Sequence, residues 1–304
     1  MIERSYLALL IAILSVSIAA ILIVSTSAPA LIISFYRMLF TTLLINLIVL
    51  MKRSYFQEIK KLTKRQLIIM IAIGVILAVH FAFWVTSLKL TSVASSVILV
   101  TAHPIIVGPI SHFFLKERLS IINISGIIIS FIGVVVLVYG NYGFSASIDT
   151  LQGNIFAWAG GVAAGIYILG GRHLRCQISV IPYVFVVYTV ATVVLFFFCL
   201  IENLSISLIS QKDLFIILIM AVISGIFGHT LYNWSLAQVR ASVASVALLG
   251  EPIGSSLFAF ILPWIHQIPS IFTIIGGAII LLGIYFTTKT YGRPCSSDES
   301  TISI

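Results

Sequence analysis

Four side chains able to change charge, His80, His103, His229 and Glu251, lie in stretches that are otherwise almost wholly apolar. An ionised group at the centre of a membrane helix costs roughly 2.5 to 3.5 kcal/mol on insertion scales, so such groups face an aqueous cavity or a partner. Two of the four stand directly before a proline, His103 before Pro104 and Glu251 before Pro252. Proline removes a backbone donor and frees a carbonyl, so both prolines mark expected helix kinks. The chemistry open to this set is proton binding and release near neutral pH, together with hydrogen bonding to a small polar molecule. Glu251 and His103 are the expected proton carriers; the alternative is a brace beside each proline.

Other residues join them by spacing. His80 and Trp84 are four apart with Ser87 at seven, which puts them on one helix face; His229, Tyr232 and Asn233 form a matching face later in the chain. Both faces are expected to line a cavity. Ser96, Trp158 and Tyr167 are further lining candidates. Arg37, a few residues below a membrane surface, either snorkels outward, pairs structurally or meets an anionic substrate. His112, Lys116 and Glu117 sit at a span end and read as interface residues.

The elements that carry these residues are duplicated. Ser87 to Pro104, SLKLTSVASSVILVTAHP, aligns without a gap on Ser235 to Pro252, SLAQVRASVASVALLGEP, at an offset of 148 residues. Downstream, Ser120-x5-Gly126-x6-Gly133 returns as Ser270-x5-Gly276-x6-Gly283 at an offset of 150, while His80 and His229 are one residue out of register. Such a repeat governs the architecture. It predicts one five-helix unit over 1–146, a second over 147–290, and a disordered tail over 291–304.

Composition says what the units are. With 60% hydrophobic and 9% charged residues, the chain lies outside the soluble range, where about a quarter of residues are charged. It reads as an all-α integral membrane protein. Ten spans are expected near 6–25, 31–51, 67–88, 94–115, 122–141, 153–171, 181–201, 213–236, 242–263 and 271–288. The first is too long for a signal h-region, and continuous apolar runs disfavour alternating barrel strands. Gly161-x3-Gly165 and the two repeated glycine pairs are expected to allow close helix packing.

Lys and Arg set the orientation. With the N-terminus inside, 14 fall in cytoplasmic segments, only Lys89 and Lys212 outside, and Arg37 within a span; this is the positive-inside pattern. The net charge of +8 then needs no nucleic-acid partner, since topology and anionic lipid heads account for it. Both termini are expected in the cytoplasm of a cell-membrane protein. Five spans per half is an odd number, so the halves should be inverted relative to each other. That is the build of many secondary transporters, whose site lies near the midplane where the repeats meet. His103 and Glu251 each lie about ten residues into a span, so both sit about 15 Å deep.

At this point the chain resembles the EamA family of the drug/metabolite transporter superfamily. The resemblance rests on two five-helix halves, a small-residue helix ending before a proline, and LKERLS (Leu115 to Ser120) before a glycine-bearing helix. It implies a metabolite carrier working by alternating access, with a cavity between the first four helices of each half and the fifth helices outside. The second copy departs from it, reading His266-Gln267-Ile268-Pro269 where the first has its Leu-x-Glu-Arg element.

Enzyme chemistry finds little support: no HExxH, GxSxG, Walker A or strand-led GxGxxG occurs, and the three cysteines, expected to be free, lack CxxC spacing. No cofactor or metal is expected. The function expected is a permease for a small metabolite, working as a proton-coupled exporter. The alternatives are an uncoupled facilitator and, from another class, a membrane-embedded enzyme using His80, His103 and Glu251 on a lipid or isoprenoid. Expected partners are the substrate, membrane lipids, protons and a second copy in a homodimer.

Overall fold

Within a bilayer each backbone N–H must find its carbonyl inside the same segment, which makes helix the solution for long apolar runs. The computed structural model describes residues 2–91, 93–117, 119–142, 148–206, 209–261 and 268–288, and among them there is no strand. The expected tail over 291–304, the boundary at 146 and 147, Arg118, His266 and Cys295 lie outside the described residues.

The first half holds α1 (Ile2–Val24), α2 (Ala30–Met51), α3 (Arg53–Lys60), α4 (Lys64–Leu90), α5 (Val93–Val100), α6 (Pro104–Phe114) and α7 (Ile121–Tyr142). The second holds α8 (Ile148–Arg175), α9 (Val180–Ile201), α10 (Gln211–Met220), a π-helical segment (Ala221–Thr230) and α11 (Leu231–Ser235). It continues with α12 (Ala241–Ala247), a 3₁₀ turn (Leu248–Gly250), α13 (Glu251–Ile261) and α14 (Ile271–Thr288).

Eight helical stretches among the described residues are long and apolar enough to cross a membrane, so the expected count of ten is not reached. The fourth expected span is broken into α5 and α6 by the turn Thr101 to His103, because Pro104 has no N–H to continue the ladder. Within the fifth, α7, the apolar stretch Ile121–Leu137 is shorter than these eight. The loop expected between Lys52 and Arg65 contains the helix α3, which packs on α2 and α9 with no residue buried. Helix α4 then starts at a capping box: Thr63 Oγ1 accepts from the Gln66 N–H at 3.2 Å, and the Gln66 side chain accepts from the Thr63 N–H at 3.0 Å.

Contacts follow the repeat. Helices α2 and α9 pack together, and Thr42 Oγ1 meets Thr192 Oγ1, 150 residues on, at 2.9 Å. Helices α7 and α14 approach backbone to backbone. A Cβ on Gly126 would lie 2.7 Å from the Gly283 carbonyl oxygen, and one on Gly133 would lie 2.8 Å from that of Gly276. Rising numbers on one helix meet falling numbers on the other, so the two run antiparallel. Carboxylates of each half also hold serines of the other. Asp213 accepts from Ser27 Oγ at 2.8 Å just before α2, and Glu58 accepts from Ser179 Oγ at 2.6 Å just before α9.

Of the cysteines, Cys199 is free and buried, as expected. Cys176 is disulfide-bonded, which corrects the expectation of free thiols drawn from a reducing cytoplasmic face.

Candidate functional site

The cavity forms where helices lose their regularity. The end of α5 and the turn after it deliver Val100, Thr101 and His103; the 3₁₀ turn and the first residue of α13 deliver Leu248 and Glu251; the π segment delivers His229. Such local departures from α geometry recur at functional sites, and broken helices are tolerated at membrane depth where they border a cavity. A Cβ on Gly161 of α8 would lie 2.8 Å from the carbonyl oxygens of Leu99 and Val100. Only glycine lets α8 approach closely enough to hold that turn in place.

The cavity has about 680 Å³ of empty space, counting its open mouth. Its lining is duplicated: Val16 and Ala164, Trp84 and Tyr232, Val100 and Leu248, His103 and Glu251 are each 148 residues apart, with His80 and His229 one residue off that register. Among the described residues, none of α7 or α14 lines it. Arg37 breaks the symmetry. Helices α2 and α9 align at an offset of 150, which sets Val187, buried and apolar, at the position matching Arg37.

Individual side chains are well fixed. His80 Nδ1 lies 2.9 Å from the Gly160 carbonyl; a carbonyl only accepts, so Nδ1 carries a proton. The same ring stacks on Trp84 at 6.0 Å. His103 Nδ1 pairs with Ser245 Oγ of α12 at 2.8 Å, joining the two halves across the cavity edge. His229 sits edge-on to Phe81 at 5.1 Å. The Arg37 guanidinium is 4.6 Å from the Phe81 ring centre and 5.9 Å from that of Trp84, and it is 1% exposed, so it does not snorkel. Arg37 and Glu251 face the same cavity without forming an ion pair; among the described residues the only one is Arg172 with Glu117.

Of the residues expected at the site, Arg37, His80, Trp84, His103, Tyr167, His229, Tyr232 and Glu251 line this cavity. Three do not. Asn233 lies behind it, its amide donating to the Tyr167 hydroxyl and, at 2.7 Å, to the His229 carbonyl. Ser96 is buried against Ser87, with 2.6 Å between hydroxyl oxygens, and ties α5 to α4. Trp158 is 57% exposed on the outer surface; nine residues before Tyr167, it is about half a turn out of phase with the lining face of α8. Pro104 and Pro252 stand at the two breaks as expected. Thr101 and small apolar residues such as Ala12 complete the lining and were missed. The 148-residue offset would have paired Val16 with Ala164.

Glu117, at the end of the broken fourth span, does more than meet the membrane surface. It is buried: Arg172 Nε donates to it at 2.8 Å, and the Ala241 N–H at 2.9 Å. Arg172 Nη1 also donates to the Leu236 carbonyl at 2.7 Å. Burial pushes the Glu117 carboxyl up from the usual range, opposed by Arg172. One carboxylate thus ties together the connection after α6, the end of α8 and the start of α12.

The chain is similar to uncharacterized transporters over most of its length. An uncharacterized transporter of Archaeoglobus fulgidus is 28% identical over 254 residues, spanning 82% of this chain and 84% of the relative. The uncharacterized transporter YyaM of Bacillus subtilis is 24% identical over 221 residues, 70% of each chain. A solved crystal structure superposes with a TM-score of 0.77 at 20% identity, covering 94% of this chain and 97% of that one, so the fold is shared. The model of the EamA-like transporter family matches twice in tandem, over residues 4–139 and 151–289. With two family matches covering most of its length and eight apolar membrane-capable helices, this multi-pass membrane protein belongs to the EamA-like transporter family.

Proposed function

We propose that the chain is a secondary carrier that moves a small metabolite across the cell membrane by alternating access between two inverted five-helix halves, with both termini in the cytoplasm. The observation that carries this reading is the cavity lined at matching positions by both halves, with polar and titratable groups at broken helices. The antiparallel course of α7 and α14 supports the inversion. In this reading the substrate sits among Arg37, His80, Trp84, His103, His229, Tyr232 and Glu251. The Glu117–Arg172 pair draws three connections together on the face assigned to the cytoplasm, and it opens once in each cycle.

Glu251 or His103 carries the coupling proton, because each combines a titratable group with a helix break facing the cavity. The test is substrate flux in proteoliposomes under an imposed pH gradient. Coupling predicts flux driven by the pH gradient alone and abolished by Glu251→Gln or by His103→Gln. Flux that follows only the substrate gradient, unchanged in both variants, makes the protein an uncoupled facilitator.

A further inference from the structure

The cavity contains more buried donors than the protein satisfies. Neither terminal nitrogen of Arg37 has a hydrogen-bond partner, and the same holds for Trp84 Nε1 and the Tyr232 hydroxyl. All three side chains line the one cavity, and they are 1%, 6% and 3% exposed. They come from α2, α4 and α11, so no local turn chemistry explains the shortfall. A buried donor left without a partner is costly, more so when it is charged. The Phe81 ring beside Arg37 supplies a cation–π contact, but it offers no lone pair to either terminal nitrogen. Glu251 faces the same space and stays outside ion-pair distance. Arg37 has no counterpart in the second half, so its charge is an addition to the symmetric frame.

We infer that this cavity binds an organic carboxylate, gripped by the two free nitrogens of Arg37 with Trp84 Nε1 and the Tyr232 hydroxyl beside it, its apolar body against the aliphatic and aromatic lining. The guanidinium fork matches a carboxylate in two parallel bonds. A single such cation in a mostly apolar cavity that also contains Glu251 suits a monoanion better than a phosphate dianion. This rests on the transport reading of the same cavity and names its substrate class.

The test is thermal unfolding of the detergent-purified full chain with phenylacetate and hexanoate, each against its amide, and with inorganic phosphate. A ligand of the native state raises the melting temperature by mass action. The acids should stabilise saturably and the amides at least tenfold more weakly. Arg37→Met should erase the preference, Arg37→Lys should weaken acid binding about tenfold, and Glu251→Gln should keep or tighten it by removing the competing anion. Amides that match their acids, an Arg37→Met that binds acids like the parent, or a shift from phosphate alone overturns the inference. If Arg37→Met does not fold, the acid–amide comparison on the parent decides. Vesicles separate the two readings: acids bound but never moved refute transport and leave the site standing, whereas carriage of neutral or cationic metabolites without acid binding refutes the site and leaves transport.

Discussion

Replacing Arg172 with alanine removes the partner of a buried carboxylate. Both side chains are 7% exposed and their contact is 2.8 Å. The variant leaves Glu117 with the Ala241 N–H and takes a 2.7 Å donor from the Leu236 carbonyl. Breaking a buried ion pair from one side costs about 3 to 5 kcal/mol. Protonation of the stranded carboxyl returns part of this, so the expected loss is about 3 kcal/mol, on the order of 5 to 10 °C in melting temperature. The pH dependence has a fixed sign. Burial raises the Glu117 carboxyl above its usual range, so the native state holds a proton that the unfolded state has lost, and stability falls as pH rises through that window. Without Arg172 the rise is larger, so the variant should lose most at alkaline pH and recover on acidification. The assay is thermal unfolding in detergent across pH for Arg172→Ala, Glu117→Gln and the double variant. A coupling of at least about 1 kcal/mol, with the double variant more stable than the sum of single losses predicts, is expected. Additive losses, or an Arg172→Ala that melts like the parent at every pH, would refute the reasoning.

At the α7–α14 contact, Gly133→Leu should lower thermal stability by at least about 1 to 3 kcal/mol, because a Cβ there would lie 2.7 Å from the Ile280 backbone nitrogen, which cannot move aside cheaply. Trp84→Ala and His229→Ala should reduce transport in vesicles with little change in melting temperature, whereas Trp158→Ala should leave transport intact because that ring faces outward. Asn233→Ala should lower both, since its amide holds Tyr167 and the His229 carbonyl. A reporter fused after Arg293 should behave as internal and one inserted near Asp149 as external, as the positive-inside count requires.

The lining was legible where residue type carries a solvation cost. His80, His103, His229 and Glu251 are expensive in an apolar span, and the repeat set them at matching positions; all four line the cavity. Arg37 drew attention for the same reason, but its surroundings did not show in sequence, because Phe81 is ordinary for a span. What stayed hidden is backbone and packing. The prolines announce the two kinks, but not their form, a turn at Thr101 to His103 and a 3₁₀ turn at Leu248 to Gly250, which depends on what packs there. Trp158 was misjudged because helix phase, not residue type, decides which way a span residue points. The Glu117–Arg172 pair joins residues 55 apart, which no local pattern reveals.

The central claim is that the cavity is a route for a small molecule. Purified protein in liposomes loaded with a mixed metabolite extract, with both compartments followed by mass spectrometry, tests it most directly. The account predicts that at least one compound crosses chemically unchanged and that Trp84→Ala and His229→Ala slow its passage. No compound crossing above protein-free liposomes, or compounds recovered only in altered form, would contradict it.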